Sequence, residues 1–270
     1  MKITFLGGGN MANALIGGLI RQGFAGSDIE VIEPSAENRQ RLAQAFGVTV
    51  CEQVAAAPLT GDLLVLAVKP QQMQAAIAPL QGRLHQQVVV SIAAGLRIAS
   101  LSAWLGGYQK IVRCMPNTPA MIGAGVTGLC ATDSVSFNER AAAERVLQAA
   151  GATLWVEDEA QMDAITAVSG SGPAYVFMFI EAMQEAAREL GFSDGQSRQL
   201  ALDTVLGAAK LAAASDEPAS VLRERVTSKG GTTEAALQTM TAQGVKAGII
   251  AGIMAAQARG KALGDLLGNG

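Results

Sequence analysis

The residues of this chain that can do chemistry fall in two stretches at opposite ends of the sequence. The first, Leu6-Gly7-Gly8-Gly9-Asn10-Met11-Ala12, has the G-x-G-x-x-A spacing that opens a dinucleotide site. Gly7 suits a tight turn, Gly9 lets backbone approach a pyrophosphate, and Ala12 keeps the following helix against the sheet. The free N–H groups and positive dipole end of a helix starting near Asn10 then face the diphosphate. Three close glycines can also mark an ordinary turn, and context decides. Ile3 to Leu6 read as a buried strand, and Ala12 to Ile20 carry apolar residues at helical spacing.

The second stretch is Val226-Thr227-Ser228-Lys229-Gly230-Gly231-Thr232-Thr233-Glu234. Read as a helix–helix connection, the glycines end one helix and Thr232 caps the next, with Glu234 in its first turn. Read as an anion nest, the N–H groups of Gly230, Gly231, Thr232 and Thr233, with the hydroxyls of Ser228 and Thr233, suit a carboxylate. Spacing alone favours the connection. Other reactive groups are sparse. His85, the single histidine, lies in a polar stretch that reads as a surface loop, and no carboxylate pair or Cys–His arrangement is visible. Cys51, Cys114 and Cys130 are odd in number and share no C-x-x-C spacing, so free thiols are expected rather than disulfides or a metal site.

These stretches need elements to hold them, and the first half of the chain alternates strand and helix signals. Asp28 to Glu33 read as a second strand, Ala36 to Phe46 as a helix and Val48 to Cys51 as a short strand. Asp62 to Val68 form an apolar strand ended by Lys69-Pro70, with a helix from Gln71. Val88 to Ile92 and Lys110 to Arg113 are further strands, and Gly125 to Cys130 and Ala152 to Val156 flank a helix from Asn138 to Ala149. Strands apolar throughout and joined by helices predict an α/β fold, a Rossmann-type doubly wound, mostly parallel sheet covered on both faces. Ligands of such sheets bind off the carboxyl ends of the strands. Those ends carry Gly7 to Met11, Glu33 to Ser35, Ala67 to Pro70, Ala93 to Gly95 and Met115 to Thr118.

From about Gln161 the pattern becomes helix after helix, rich in Ala, Met and Leu. The expected division is a dinucleotide-binding domain at 1–160 and an all-α domain at 161–270. Ser169-Gly170-Ser171-Gly172-Pro173 are placed to cap a long helix, with Pro173 in its first turn, where a missing N–H costs nothing. That helix, Ala174 to Leu190, carries Tyr175, Phe177, Met178, Phe179, Ile180 and Met183 around most of its circumference, which predicts burial on most sides. So small a domain has few partners of its own to offer, and a second subunit is the expected cover.

Composition narrows the function classes. A formal charge of −3 and a pI near 5.3 give no electrostatic footprint for nucleic acid. Half the residues are apolar and mean hydropathy is +0.29, yet polar residues interrupt every run before the roughly 20 apolar residues needed to span a bilayer. Gly7 to Asn10 break the first apolar stretch, so no signal peptide is read and a cytoplasmic protein is expected.

Six motifs then fall in a recognisable order: G-x-G-N-M-A at Gly7 to Ala12, A-V-K-P at Ala67 to Pro70, S-I-A-A-G at Ser91 to Gly95, M-P-N-T-P at Met115 to Pro119, S-G-S-G-P-A-Y at Ser169 to Tyr175 and S-K-G-G-T-T at Ser228 to Thr233. In these the chain resembles the pyrroline-5-carboxylate reductase family along essentially its whole length. The resemblance implies NAD(P)H-dependent reduction of L-1-pyrroline-5-carboxylate to L-proline, the last step of proline biosynthesis. It also implies an interlocked homodimer, often five dimers in a decamer, with each active site between the nucleotide domain of one subunit and helices of both. On the same ground Ser228, Gly230, Gly231, Thr232 and Thr233 bind the substrate carboxylate, and the Thr233 hydroxyl is the catalytic candidate that hydrogen-bonds the ring nitrogen. Implied cofactor contacts are Leu6, Gly7, Gly8, Gly9, Asn10 and Met11, then Ala67, Val68, Lys69 and Pro70, then Ala93 and Ala94. Lys69 reads equally as a solvated strand-end charge, and Asn117 and Thr118 read equally as a Pro-fixed loop or as nicotinamide-side contacts. Sparse acid–base machinery suits such a reaction, because the cofactor supplies the hydride, iminium protonation activates the carbon, and the protein mainly positions two ligands.

Three residues depart from the family pattern. Lys229 stands where proline is common and Thr232 where alanine is common; neither removes an N–H donor. Glu33 stands where members preferring NADPH usually carry a small polar residue. An acid ending the second strand accepts from ribose hydroxyls and repels a 2′-phosphate, and 33 − 12 = 21 positions from Ala12 is close to the roughly 20 expected of a ribose ligand. Pro34 offers no adjacent base, while Ser35, Asn38, Arg39 and Arg41 are within reach of a phosphate. The family default is therefore NADP, and Glu33 favours NAD. A β-hydroxyacid dehydrogenase would use a lysine early in the long second-domain helix, but no lysine occurs between Lys110 and Lys210. Another imine reductase of this two-domain plan would lack the carboxylate nest, and a non-catalytic nucleotide sensor would lack turnover.

Overall fold

The computed structural model describes residues 1–268. Eight strands form one sheet: β1 Ile3–Leu6, β2 Ile29–Ile32, β3 Thr49–Cys51, β4 Leu63–Leu66, β5 Val88–Ser91, β6 Ile111–Met115, β7 Gly125–Ala131 and β8 Gly151–Trp155. Their order is β3-β2-β1-β4-β5-β6-β7-β8, and every neighbouring pair is parallel except β6 with β7. The reversal has a local cause. The chain leaves β6 through the single 3-10 turn Thr118–Ile122, with no crossover helix of the kind a parallel return requires.

Helices cover both faces. α1 Asn10–Arg21, α2 Ala36–Phe46 and α5 Phe137–Gln148 send Leu15, Leu42 and Val146 into one core, while α3 Met73–Ile77 and α4 Ile98–Trp104 send Met73, Ile77 and Leu101 into the other. Burial on both faces explains why β1, β4 and β5 have no exposed residue, and why their sequences are largely apolar rather than alternating, with Thr4 and Ser91 the only polar residues. The remaining helices are α6 Gln161–Ile165, α7 Gly172–Glu189, α8 Asp194–Ala213, α9 Ala219–Arg225, α10 Thr232–Ala242 and α11 Val245–Gly268. Among the described residues no helix is long and apolar enough to cross a membrane.

The chain forms two compact units, Met1–Ser171 together with Ala256–Gly270, and Gly172–Ala255. One expectation for the helical half is corrected. Ser169 and Gly170 do not cap a new helix. They lie in a π-helical turn, Thr166–Gly170, that continues from α6, with the Ser171 N–H donating to the Thr166 carbonyl at 2.8 Å. Pro173 is in the first turn of α7 as expected. The burial expected of α7 is not supplied by the chain itself: it has no buried residue within the chain, and Phe177 and Met178 are 64% and 61% exposed. Its apolar circumference is real, but this chain alone does not cover it.

Candidate active site

The crevice begins at the switch point between β1 and β4. Gly7 sits there at φ +100°, and a Cβ would lie 2.8 Å from the Ala67 carbonyl oxygen, so only glycine lets the two strand ends come this close. Gly9 is different. It has φ −70°, is the N-cap of α1, and a Cβ there would meet nothing within 4 Å. No side chain caps α1 and no acid lies in its first turn, so the N–H groups of that turn face open space. An unfilled cradle of backbone donors at a helix start fits a pyrophosphate. Leu6 ends the buried strand behind it, and Asn10 is exposed at its mouth with Met11 half-buried.

Glu33 follows β2, and its carboxylate is turned onto the glycine loop. The Gly8 N–H donates to Oε2 at 2.8 Å and the Ser35 N–H to Oε1 at 2.9 Å. Ser35 in turn accepts from the Asn38 N–H through Oγ, capping α2. The two arginines within reach of a phosphate are already engaged. Arg39 Nη1 donates to the Glu33 and Pro34 carbonyls at 2.7 and 2.6 Å, and Arg41 Nη1 donates to Asn13 Oδ1 at 2.9 Å. The carboxyl end of β2 thus presents a carboxylate with no guanidinium paired to it.

Ala67 and Val68 follow β4 half-buried, then exposed Lys69, whose ammonium has no partner among the described residues, and Pro70, which opens a 3-10 turn. After β5, Ala93 is buried and Ala94 exposed. Asn117 is committed elsewhere: its Oδ1 accepts from the Val126 N–H at 2.9 Å and its Nδ2 donates to the Ser169 carbonyl at 3.2 Å, which braces the loop after β6. His85 is exposed. The thiols of Cys114 and Cys130 are buried, and burial pushes both up from the ordinary thiol range, which leaves them poor nucleophiles.

The S-K-G-G-T-T stretch lies in the second unit and opens α10. Gly231, not Thr232, is the N-cap, in extended conformation at φ −89°, and Thr232 is the first helical residue. A Cβ there would stand 3.0 Å from the Ser228 carbonyl oxygen, which favours glycine, and the turn is closed by the backbone itself: the Gly231 N–H donates to the Ser228 carbonyl at 3.0 Å. The Gly230 N–H donates to Glu234 Oε2 at 2.7 Å. Two of the four expected N–H donors are therefore engaged within the loop. Those of Thr232 and Thr233, in the open first turn of α10, have no partner among the described residues, nor do the hydroxyls of Ser228 and Thr233. Sequence reasoning passed over the back-reach of Glu234, although a carboxylate one turn beyond a glycine pair is its signal.

Comparison with known proteins finds matches to both units. A family model for pyrroline-5-carboxylate reductase dimerisation matches residues 159–263, and one for NADP oxidoreductase, coenzyme F420-dependent, matches residues 2–95. A pyrroline-5-carboxylate reductase of Pseudomonas aeruginosa is 46% identical over 268 residues, 99% of this chain and 98% of that protein. A solved pyrroline-5-carboxylate reductase from Coxiella burnetii matches with a TM-score of 0.92 at 39% identity, covering 97% of this chain and 98% of its own. The Plasmodium falciparum pyrroline carboxylate reductase with NADP bound matches at 0.87 and 29% identity, covering 98% of both chains. Because the agreement runs through both units at nearly full coverage in each direction, the chain belongs to the pyrroline-5-carboxylate reductase family.

Proposed function

We propose that the chain reduces L-1-pyrroline-5-carboxylate to L-proline by hydride transfer from a nicotinamide cofactor, as the last step of proline biosynthesis in the cytoplasm. The observation that carries this reading is the full-length identity to a reductase of that name. Residues 1–160 hold the cofactor and residues 161–270 supply the substrate loop and the dimer contacts. Leu6 to Met11 receive the pyrophosphate, Ala67 to Pro70 line the crevice, and Ala93-Ala94 face the nicotinamide half. When bound, the cofactor supplies the hydride. The substrate carboxylate sits on the Thr232 and Thr233 N–H groups and the Ser228 hydroxyl, in the loop shaped by Gly230 and Gly231, and the Thr233 hydroxyl holds the ring nitrogen.

NADH is the preferred donor on this reading. The Glu33 carboxylate, fixed by Gly8 and Ser35, lies where the adenosine ribose is expected, and Arg39 and Arg41 are bound elsewhere. A 2′-phosphate would meet a negative charge with no compensating base. The purified chain should oxidise NADH with pyrroline-5-carboxylate; absence of turnover with either cofactor would overturn the assignment. Glu33→Ser should raise the NADPH to NADH ratio of kcat/KM by about tenfold, the effect of relieving a charge clash worth ~1–2 kcal/mol. An unchanged ratio, in an enzyme that prefers NADPH, would place Glu33 away from the ribose.

A further inference from the structure

We propose that the end of the last helix and Glu159 together hold the loop that presents Ala93 and Ala94, making Arg97, Glu159 and Asp265 positioning residues for hydride transfer. The inference rests on the proposed placement of Ala93-Ala94 against the nicotinamide half. The loop leaves β5 at Ser91 and enters α4 at Ile98, and no side chain of its own caps that helix. The missing cap is supplied from elsewhere: the Ile98 N–H donates to Glu159 Oε1 at 2.8 Å. The same oxygen accepts from Arg113 Nη1 at 2.9 Å, and Arg113, buried in β6, reaches Asp163 Oδ1 with its other arm at 3.3 Å. Glu159 is thus pinned from below by a buried guanidinium and passes that order to the first turn of α4.

The second hold comes from α11. Arg97 Nη2 lies 2.6 Å from Asp265 Oδ1. One residue earlier, Gly264 lies so close that a Cβ would stand 3.3 Å from both the Gly95 carbonyl oxygen and Arg97 Nε. These contacts lie within the first unit, to which the last turns of α11 belong. The outer half of the loop is therefore held by groups 61 and 168 positions away in sequence, not by its own turn. Misplacement of a reacting centre by an ångström costs far more rate than binding, so a hold of this kind registers in the chemical step.

The test compares Arg97→Ala, Asp265→Ala, the double variant, the charge-exchanged pair Arg97→Asp with Asp265→Arg, and Gly264→Leu. Wild-type turnover of pyrroline-5-carboxylate is established first; its absence would bring down the functional reading, and this inference with it. Readouts are kcat, the primary deuterium isotope effect with NADH labelled at the transferred hydrogen, and the affinity for ADP, which reports only the adenosine half of the site. Each single alanine variant should lower kcat about two- to fivefold, as befits a partly exposed ion pair. The isotope effect on kcat should rise and ADP affinity stay unchanged. The double variant should lose no more than either single one, and the charge exchange should restore most of the rate. Gly264→Leu should lose on the order of tenfold. Unchanged kcat in the single variants overturns the proposal. So does a loss that is additive in the double variant with an unaltered isotope effect, because that pattern marks general destabilisation.

Discussion

A side chain at Gly9 would meet nothing of the protein itself, whereas one at Gly7 would strike the Ala67 carbonyl. The two glycines of one motif therefore differ: the fold requires Gly7, whereas nothing in the fold requires Gly9, whose demand comes from the ligand on the proposed reading. Gly9→Val, at φ −70°, should leave stability within ~1 kcal/mol, the size of a changed N-cap. It should weaken NADH and NADPH alike by about 10- to 100-fold, the equivalent of ~1–3 kcal/mol of overpacking. Fluorescence titration beside a thermal melt checks both, and wild-type affinity would remove this loop from the cofactor site. Glu234 offers a second residue-level test. Its carboxylate fixes Gly230 and so the turn that presents Thr232 and Thr233. Losing a hydrogen bond of ~1 kcal/mol through Glu234→Ala should raise the KM for pyrroline-5-carboxylate about fivefold and leave that for NADH unchanged. A lower KM would mean that Glu234 competes with the substrate carboxylate instead of ordering its loop. The types and spacing of these residues were legible in the sequence, since G-x-G-x-x-A and S-K-G-G-T-T are local patterns. What Glu33 and Glu234 touch was not, because a carboxylate's choice among neighbouring N–H groups depends on backbone geometry that spacing does not specify.

At the scale of elements, the strands were readable because β1, β4 and β5 are covered on both faces and carry only two polar residues, the buried Thr4 and Ser91, too few to imitate an alternating period; their ends fell within two residues of expectation. The helix α4 was not foreseen. It has seven residues and no side-chain cap, too short for its apolar spacing at Ile98, Leu101 and Trp104 to stand out, and Glu159 and the core around Leu101 support it from outside. The π turn at Thr166–Gly170 was hidden for the opposite reason, since Ser-Gly pairs look like a helix start. The start of α5 supplies a pH test. Ser136 and Glu139 form a capping box, and the Lys110 ammonium, 2.7 Å from Glu139, together with the Ser136 N–H and hydroxyl, holds that carboxyl down at about 2. A carboxyl depressed on folding contributes stability that is complete above its unfolded value of about 4.3 and is lost as pH falls through the folded value. Glu139→Gln should therefore cost ~1–2 kcal/mol at pH 7, after allowance for solvent screening, and nearly nothing near pH 2. Urea midpoints of both proteins at pH 7 and at pH 2.5 measure the difference, and equal gaps at the two pH values would contradict it.

For the whole molecule, the family's dimerisation match at 159–263 and the bare apolar face of α7 point the same way. The homodimer should bury more than the standard ~1,600 Å². Phe177→Glu, which sets a charge on that face, should dissociate it and lose activity with it, whereas an active monomer of the wild type in light scattering at micromolar concentration would refute the assembly. The same measurement separates a dimer from a decamer of five dimers. The sequence announced an apolar helix and, from the small size of its domain, a cover outside the chain; which residues of a partner meet it was not legible, because periodicity records only how much of a surface is apolar. One property of the first unit reaches beyond the folded state. Its strands come from Met1–Ser171, but Ala256 and the residues after it belong to the same compact body. On the ribosome, where chains fold as segments emerge, the sheet can assemble while Gly172–Ala255 are still being made. The loop after β5 then waits for its partner: until Asp265 has left the exit tunnel, Arg97 lacks the carboxylate it pairs with in the folded chain, and every shorter nascent chain carries the sheet with that loop held at one point fewer.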